Sequence, residues 1–173
     1  LGGEAVNDIE VDGANKKWFA TANSGVFYTS DDGREEIYHF TSENSPLISN
    51  NVIDIEIDDE SGMVYFGTDQ GIVSFQGVAT EGSDFNDDVF AYPNPVEPGY
   101  TGPILIRGLV TNAQVKITDV EGNIVYETVA EGGQAIWSGR NFDGQRVKTG
   151  VYLAYITDEL GTSTAITKIL VVN

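Results

Sequence analysis

Apolar and polar residues alternate with a period of two along most of the chain, in short runs separated by turn-forming residues. Between residues 6 and 12, Asn7, Ile9 and Val11 fall on one face of an extended chain and the acidic side chains on the other. No segment carries apolar residues at i, i+3, i+4 and i+7 through successive helical turns. The pattern therefore predicts an all-β protein.

The first half of the chain contains an internal repeat. Residues 6–12 (VNDIEVD) match residues 52–58 (VIDIEID) at an offset of 46, and residues 18–21 (WFAT) match 65–68 (YFGT) at an offset of 47. Units of about 40–50 residues built from four short strands are typical of β-propeller blades. We therefore expect residues 1–78 to form two propeller-type blades.

The second copy also resembles a known repeat. Residues 44–52 (NSPLISNNV), followed by Gly62, the segment YFGT at 65–68, and Gly71 with Ile72, resemble the two-component regulator propeller repeat. Because a propeller needs at least four blades to close, two blades leave strand edges and apolar faces open. We expect residues 1–78 to be the last part of a longer propeller, or to pair with another chain, self-association through the open edge included.

A change of composition marks a domain boundary. Residues 79–88 lack periodicity and are rich in small and acidic residues, which predicts a linker. After it, residues 89–173 contain short alternating strands with turns every 8–12 residues, a pattern typical of an immunoglobulin-like β-sandwich. The predicted fold is thus a partial propeller of two blades followed by a sandwich.

The second half carries a further resemblance. Residues 93–95 (PNP), 115–122 (VKITDVEG), 150–152 (GVY) and 167–172 (TKILVV) resemble, in order, the C-terminal sorting domain of the bacterial type IX secretion system. Residues 137–152 are similar to the related immunoglobulin-like domain of the flagellar hook cap. The resemblance implies an exported protein, periplasmic or at the cell surface and associated with the outer membrane. It assigns the sorting motif to Pro93, Asn94, Pro95, Gly150, Val151, Tyr152, Lys168 and Ile169.

Charge and composition narrow the function classes. The chain has 9 Lys and Arg against 27 Asp and Glu, a formal net charge of −18, which argues against a nucleic-acid partner. It has no cysteine and a single histidine, His39, which excludes a disulfide framework, a thiol nucleophile and a multi-histidine metal centre. No apolar run approaches the length of a membrane-spanning helix.

Few residues are candidates for chemistry, and none is assigned to catalysis, a cofactor or a metal. The acidic clusters 31–32, 58–60 and 87–88 offer oxygen ligands for calcium but fit no known calcium loop, so we interpret them as solvated turns. Arg140, Arg146 and Lys148 form the one local concentration of basic residues. Two interpretations remain open for them: contact with an anionic partner, such as a lipopolysaccharide phosphate, or a solubilising loop rim.

A propeller followed directly by such a sorting domain resembles the PorZ-type family of the type IX secretion machinery. The resemblance implies a non-enzymatic surface protein whose propeller docks secretion-system proteins or a surface glycan. Two alternatives remain. The chain could be type IX cargo whose sandwich is cleaved off within the linker, or the ligand-sensing periplasmic segment of a two-component regulator.

Overall fold

The computed structural model describes residues 3–173, so the first two residues of the predicted repeat unit lie outside it. The described residues form fourteen β-strands and no helix, which confirms the all-β prediction. No helix long and apolar enough to cross a membrane occurs among them. The strands group into two compact units, one reaching to Glu81 and one starting at Gly82, and we describe each by itself.

The first unit, called the repeat unit, contains seven antiparallel strands in two sheets. Its first sheet has the order β1-β2-β3-β4 and its second the order β5-β6-β7. The strands are β1 (Val6–Val11), β2 (Lys17–Thr21), β3 (Val26–Thr29), β4 (Glu36–Phe40), β5 (Val52–Asp58), β6 (Met63–Thr68) and β7 (Gly71–Gln76).

The strand register follows the sequence repeat. Ile9 of β1 lies opposite Phe19 of β2, as Ile55 of β5 lies opposite Phe66 of β6. Both pairings shift at the same place, directly after the first valine of β1 and of β5. The first three strands of one sheet therefore correspond to the three strands of the other, and we call the two sheets blade 1 and blade 2.

The core of the repeat unit lies between its two blades. Trp18 is 1% exposed and stacks on Tyr28 of its own blade at a centroid distance of 4.0 Å. Across the interface its ring lies 5.9 Å from Phe66 of blade 2. Polar contacts accompany the aromatic packing, since the backbone N–H of Ile55 donates to the Asp8 carboxylate at 2.9 Å. One face of each blade is thus buried against the other.

The second unit is a sandwich of two antiparallel sheets. One sheet has the order β11-β10-β13-β14 and the other β12-β9-β8. The strands are β8 (Phe90–Tyr92), β9 (Ile104–Arg107), β10 (Gln114–Thr118), β11 (Ile124–Val129), β12 (Gln134–Trp137), β13 (Gly150–Thr157) and β14 (Thr164–Val171).

Alternation within these strands places one set of side chains between the sheets. Ile104, Ile106, Ile117 and Ile169 are each 0% exposed. Trp137 is also fully buried, and its indole N–H donates to the carbonyl of Arg140 at 2.8 Å, which satisfies its one polar group. The sandwich therefore encloses a complete core within its own residues.

The division between the units falls inside the segment predicted as a linker, residues 79–88. On the repeat side, Ala79 and Thr80 are buried. On the sandwich side, Asn86 is 3% exposed and its side-chain amide donates to the carbonyl of Ser163 at 3.1 Å. The packing of Asn86 was not foreseen from composition, because it depends on a partner 77 residues away in sequence.

Candidate functional site

Three segments of the predicted sorting motif meet at one edge of the sandwich. Gly150, Val151 and Tyr152 begin β13 and pair with Val171, Leu170 and Ile169 of β14. The segment 93–95, which follows β8, lies along the other side of β14. We call the eight motif residues together the sorting surface: Pro93, Asn94, Pro95, Gly150, Val151, Tyr152, Lys168 and Ile169.

Asn94 joins the segment 93–95 to β14 through both ends of its side-chain amide. Its Nδ2 donates to the carbonyl of Lys168 at 2.8 Å, and its Oδ1 accepts from the backbone N–H of Leu170 at 2.9 Å. An amide side chain carries one acceptor and two donors, so it can replace a peptide group of a neighbouring strand. Asn94 therefore pairs with two backbone groups of β14, the carbonyl of Lys168 and the N–H of Leu170.

Backbone bonds extend this contact. The N–H of Val96 donates to the carbonyl of Leu170 at 2.8 Å, and the N–H of Val172 donates to the carbonyl of Val96 at 2.9 Å. Pro93 and Pro95 have no backbone N–H and so leave this pairing to Asn94 and Val96. The peptide bonds preceding both prolines are cis. The edge of β14 is thus covered over residues 168–172.

Tyr152 connects the sorting surface with the sandwich core. Its ring meets Trp137 edge-on at a centroid distance of 5.5 Å, and its hydroxyl donates to the carbonyl of Lys148 at 2.9 Å. Burial, and secondarily the negative charge of Asp119, raise the pKa of the Tyr152 hydroxyl above its usual value. Tyr152 therefore remains a neutral hydrogen-bond donor and fixes the chain at Lys148.

The outer face of β13 and β14 is exposed and largely apolar. Ile166, Lys168 and Leu170 alternate along β14 on this face, while Ile169 points into the core. Tyr155 lies opposite Ile166, and both are at least 40% exposed. Of the predicted residues, Lys168 is therefore accessible to a partner, whereas Ile169 serves the packing of the strand.

The basic loop, defined as Arg140, Arg146 and Lys148, lies between β12 and β13. A guanidinium nitrogen of Arg140 donates to the carbonyl of Gly144 at 2.7 Å, and one of Arg146 donates to the carbonyl of Ser138 at 3.3 Å. Each guanidinium has five N–H donors, so these contacts orient the groups and leave donors for an anion. Arg140 and Lys148 are exposed and Arg146 is half-buried.

Sequence reasoning missed several residues of this region. Val96 covers the edge of β14, and Asn173 donates from its side chain to the carbonyl of Val147 at 2.7 Å. Nothing local in the sequence marks these contacts, since each joins distant segments. Ile166 and Leu170 did carry a signal, because the period of two in β14 places them on the same face as Lys168.

Two of the three acidic turns considered for calcium, 31–32 and 58–60, are closed by their own hydrogen bonds. The Asp58 carboxylate accepts from the hydroxyl of Ser61 at 2.6 Å, and this bond lowers its pKa. A hydrogen bond from Ser30 lowers the pKa of Asp32 in the same way. Among the described residues, no group of three or more His, Cys, Asp or Glu has a geometry that could hold a metal ion.

The repeat unit contains a cleft of about 420 Å³ between its blades. It is lined by aromatic side chains of both blades, Phe40 of β4 with Phe66 and Phe75, and closed at one side by the loop through Leu47. His39 lies at its border, where its ring stacks on Phe27 at 3.9 Å and its Nε2 lies 2.6 Å from the carbonyl of Ser24. His39 is therefore a residue of β4 with one of its two ring nitrogens hydrogen-bonded to the backbone.

The site thus belongs to an all-β protein in which a repeat unit is followed by a sandwich, whose strand β14 is covered at its edge by the segment 93–96. Residues 90–173 match the family described as the secretion system C-terminal sorting domain. The match spans nearly the whole second unit and includes all eight residues of the sorting surface.

A solved structure extends the likeness to the whole chain. It is that of PorZ, an essential bacterial surface component of the type IX secretion system of Porphyromonas gingivalis, with 37% identity and a TM-score of 0.65. The alignment covers 98% of this chain but 23% of that chain, so this chain spans about a quarter of the PorZ structure. The predicted resemblance to PorZ-type proteins is confirmed, and the likeness supports the predicted export to the periplasm or cell surface.

Weaker likenesses complete the comparison. The extracellular domain of a hybrid two-component system of B. thetaiotaomicron aligns over 98% of this chain and 26% of its own, with 13% identity and a TM-score of 0.34. A biofilm-associated protein, through its BSP domain, aligns over 90% of this chain and 22% of its own, with 16% identity and a TM-score of 0.36. No curated protein matches the chain.

Proposed function

We propose that this protein is a non-enzymatic surface component of the type IX secretion system, in which the sandwich is the sorting and attachment module and the repeat unit is a docking surface. The observation that carries the proposal is the convergence of residues 93–95, 150–152 and 168–169 on β14. Segments separated by more than 70 residues meet at one edge of the sandwich, where Asn94, Val151 and Lys168 are exposed to a partner.

The chemistry of this surface favours a protein partner. Its outer face exposes Val151, Ile166 and Leu170, each at least 39% accessible, next to the ammonium group of Lys168. Exposed apolar side chains flanked by charge are typical of protein–protein contacts. We expect the secretion machinery to recognise this face in the folded sandwich.

The proposal is tested by surface delivery in a bacterium that has a type IX system. Leu170→Asp changes an exposed residue of the outer face, and we expect it to abolish delivery while the protein remains folded. Leu160→Asp is the matched control, because Leu160 lies on the exposed turn between β13 and β14 and is 85% exposed. Equal delivery of the two variants, with both folded by circular dichroism, would contradict a sorting role for this face.

The intact mass of the delivered protein separates the two secretion roles. A component that remains in the machinery keeps the sandwich, so we expect a mass that includes residues 82–173. A mass that ends near Glu81 would instead identify the protein as cargo, cut where the two units divide.

The basic loop is proposed as the attachment point for an anionic surface group. Arg140 and Lys148 are exposed cations in a sandwich of otherwise mildly acidic character. We expect Arg140→Glu with Lys148→Glu to weaken binding to vesicles containing lipopolysaccharide at least tenfold and to reduce its salt dependence. Lys116→Glu with Arg107→Glu makes the same change of charge elsewhere on the sandwich. An equal loss in both pairs would assign the effect to net charge alone.

A further inference from the structure

Residues 82–88, which we call the entry segment, lie outside the family match and yet pack on the sandwich. The match to the sorting-domain family begins at residue 90. At the offset of 46, residues 82–86 correspond to β4 of blade 1, but they belong to the sandwich unit and form no strand. The backbone N–H of Ser83 donates to the carbonyl of Leu109 at 2.8 Å. The entry segment is therefore attached to the loop between β9 and β10.

Two glycines allow the entry segment to approach this loop closely. A β-carbon at Gly82 would collide with the hydroxyl and the backbone nitrogen of Thr111. Gly108 has a φ of +77°, and a β-carbon there would collide with the carbonyl of Asp88. The segment is therefore in close contact with the sandwich at both of its ends.

Asn86 is the buried residue of the entry segment and bonds to two loops of the sandwich. Its side-chain Oδ1 accepts from the backbone N–H of Val110 at 2.9 Å. Its backbone N–H donates to the hydroxyl of Ser163 at 2.8 Å, and its Nδ2 donates to the carbonyl of Ser163 at 3.1 Å. Because Asn86 is only 3% exposed, water cannot readily replace these partners when its side chain is removed.

Ser163 directly precedes β14, so Asn86 fixes the start of that strand. The turn before β14 is closed by Asp158, whose carboxylate accepts from the N–H of Ser163 at 3.1 Å. Asn94 bonds to β14 near its other end. Two asparagines, one on each side of β8, therefore hold β14 near its two ends.

The strand held in this way carries the outer face that we assign to recognition. Ile166, Lys168 and Leu170 alternate on that face, while Ile169 is buried in the core. A slip of one residue in the pairing of β14 with β13 would exchange the two faces. A fixed start of β14 therefore determines which side chains a partner meets.

We propose that the sorting module includes the entry segment, and that Asn86 is a positioning residue that sets the start of β14. Asn86 contacts no partner itself and acts through Ser163 on the outer face. The inference rests on the proposed sorting role of that face, and it adds a residue that the family match does not contain.

The test measures surface delivery of the full protein in a bacterium that has a type IX system, together with hydrogen exchange of the purified protein. Asn86→Ala removes both side-chain bonds. We expect delivery to fall at least fivefold and the N–H of Ser163 to exchange at least tenfold faster. Asp87→Ala is the matched control, because Asp87 is the exposed neighbour of Asn86 in the same segment, and both readouts should remain unchanged.

A core variant separates positioning from loss of stability. Ile106 is fully buried on β9, in the sheet opposite β14. Ile106→Val or Ile106→Ala, whichever has the urea midpoint closer to that of Asn86→Ala, should be delivered better than Asn86→Ala and should keep slow exchange at Ser163. Equal loss of delivery in the core variant and in Asn86→Ala would assign the effect to stability and overturn the inference.

Delivery of Leu170→Asp distinguishes this inference from the proposal on which it rests. If Leu170→Asp is not delivered while Asn86→Ala is delivered in full, the outer face is recognised but Asn86 does not position it, and the inference is overturned. If Leu170→Asp is delivered normally, the sorting role of the face itself is wrong.

Discussion

The two units of this protein bury their apolar residues in different ways. The sandwich closes one core between two sheets, and Trp137, Ile104 and Ile117 are completely buried within it. The repeat unit buries mainly the faces that its two blades turn toward each other, around Trp18. On the opposite face of blade 1, Ile9 remains 52% exposed in the middle of a strand.

This difference explains why a similar alternation of apolar and polar residues gives a closed core in the sandwich but leaves apolar faces of the repeat unit exposed. A sandwich with two sheets needs no further element, because each inner face covers the other. A blade has two apolar faces and requires a neighbour on each, so two blades satisfy half of that requirement. We therefore expect the sandwich to be stable by itself and the repeat unit to depend on additional blades or strands.

Of the changes that test this comparison, replacement of a tryptophan should cause the largest loss of stability. Trp137→Ala leaves a cavity in the sandwich core and should lower its stability by about 3–5 kcal/mol. Trp18→Ala should destabilise the repeat unit by a similar amount, because it also removes a donor to the buried Asp12 carboxylate. Pulsed hydrogen exchange during urea unfolding reports the two units separately.

Each variant retains the tryptophan of the other unit as a fluorescent reporter. In Trp137→Ala, the transition seen by Trp18 should remain at the same urea concentration as in the unmodified chain. If that transition moved to lower urea by as much as the transition of the sandwich, the two units would unfold together. Their cores would then not be independent.

The hydrogen bond between Asp8 and Ile55 tests whether the blades stabilise each other. Asp8→Ala removes the acceptor of the Ile55 N–H, and loss of a bond to a charged group costs about 1.5–3 kcal/mol. We expect the lower part of this range, since the charge of Asp8 also repels Glu10. Asp8→Asn keeps an acceptor and should cost less, as measured by urea unfolding of the repeat unit. Equal costs for the two variants would argue against the bond.

Asn94→Ala tests the edge of the sandwich. It removes two hydrogen bonds to β14 and should lower the stability of the sandwich by about 1–2 kcal/mol. The transition of the repeat unit should not change. Asn123→Ala is a useful control, because it alters an exposed asparagine that bonds within its own turn. A loss in Asn94→Ala no larger than in the control would contradict a structural role for the contact.

The smallest expected effect is the change in the stability of each unit with pH. Burial, with the charges of Asp8 and Glu56, raises the pKa of Glu10, so protonation of Glu10 favours the folded repeat unit. This unit should gain stability as the pH falls from neutral through that raised pKa. Glu10→Gln should remove the gain, measured as the urea midpoint at a series of pH values.

Two aspartates of the sandwich respond to acid with the sign opposite to that of Glu10, as Asp32 and Asp58 of the repeat unit also do. Hydrogen bonds from Asn123 and Thr162 lower the pKa values of Asp119 and Asp158. Their contribution is present above the ordinary aspartate pKa of about 3.9 and is lost as the pH falls through the lower folded values. In the double variant Asp119→Asn with Asp158→Asn, the stability of the sandwich should decrease less as the pH falls. An unchanged profile would show that the two turns do not contribute.

The elements of this fold that depend on local pattern could be predicted from sequence. The matching strands β1 and β5 follow from VNDIEVD and VIDIEID, and the faces of β14 follow from its alternation. The contacts of Asn94 could not be predicted, because the strand that it bonds lies 74 residues away and the geometry depends on the complete fold. The three-stranded blade 2 was also unforeseen, since residues 82–86 pack in the sandwich instead.

The position of β14 has a consequence for the order of folding. Ile169 and Val171 fill the sandwich core, and Asn94 finds its partners only on this last strand. A growing or partly translocated chain that has not yet released residues 164–171 therefore lacks a wall of the core and stays open. Closure of the domain thus requires all seven of its strands, including the one synthesised last among them.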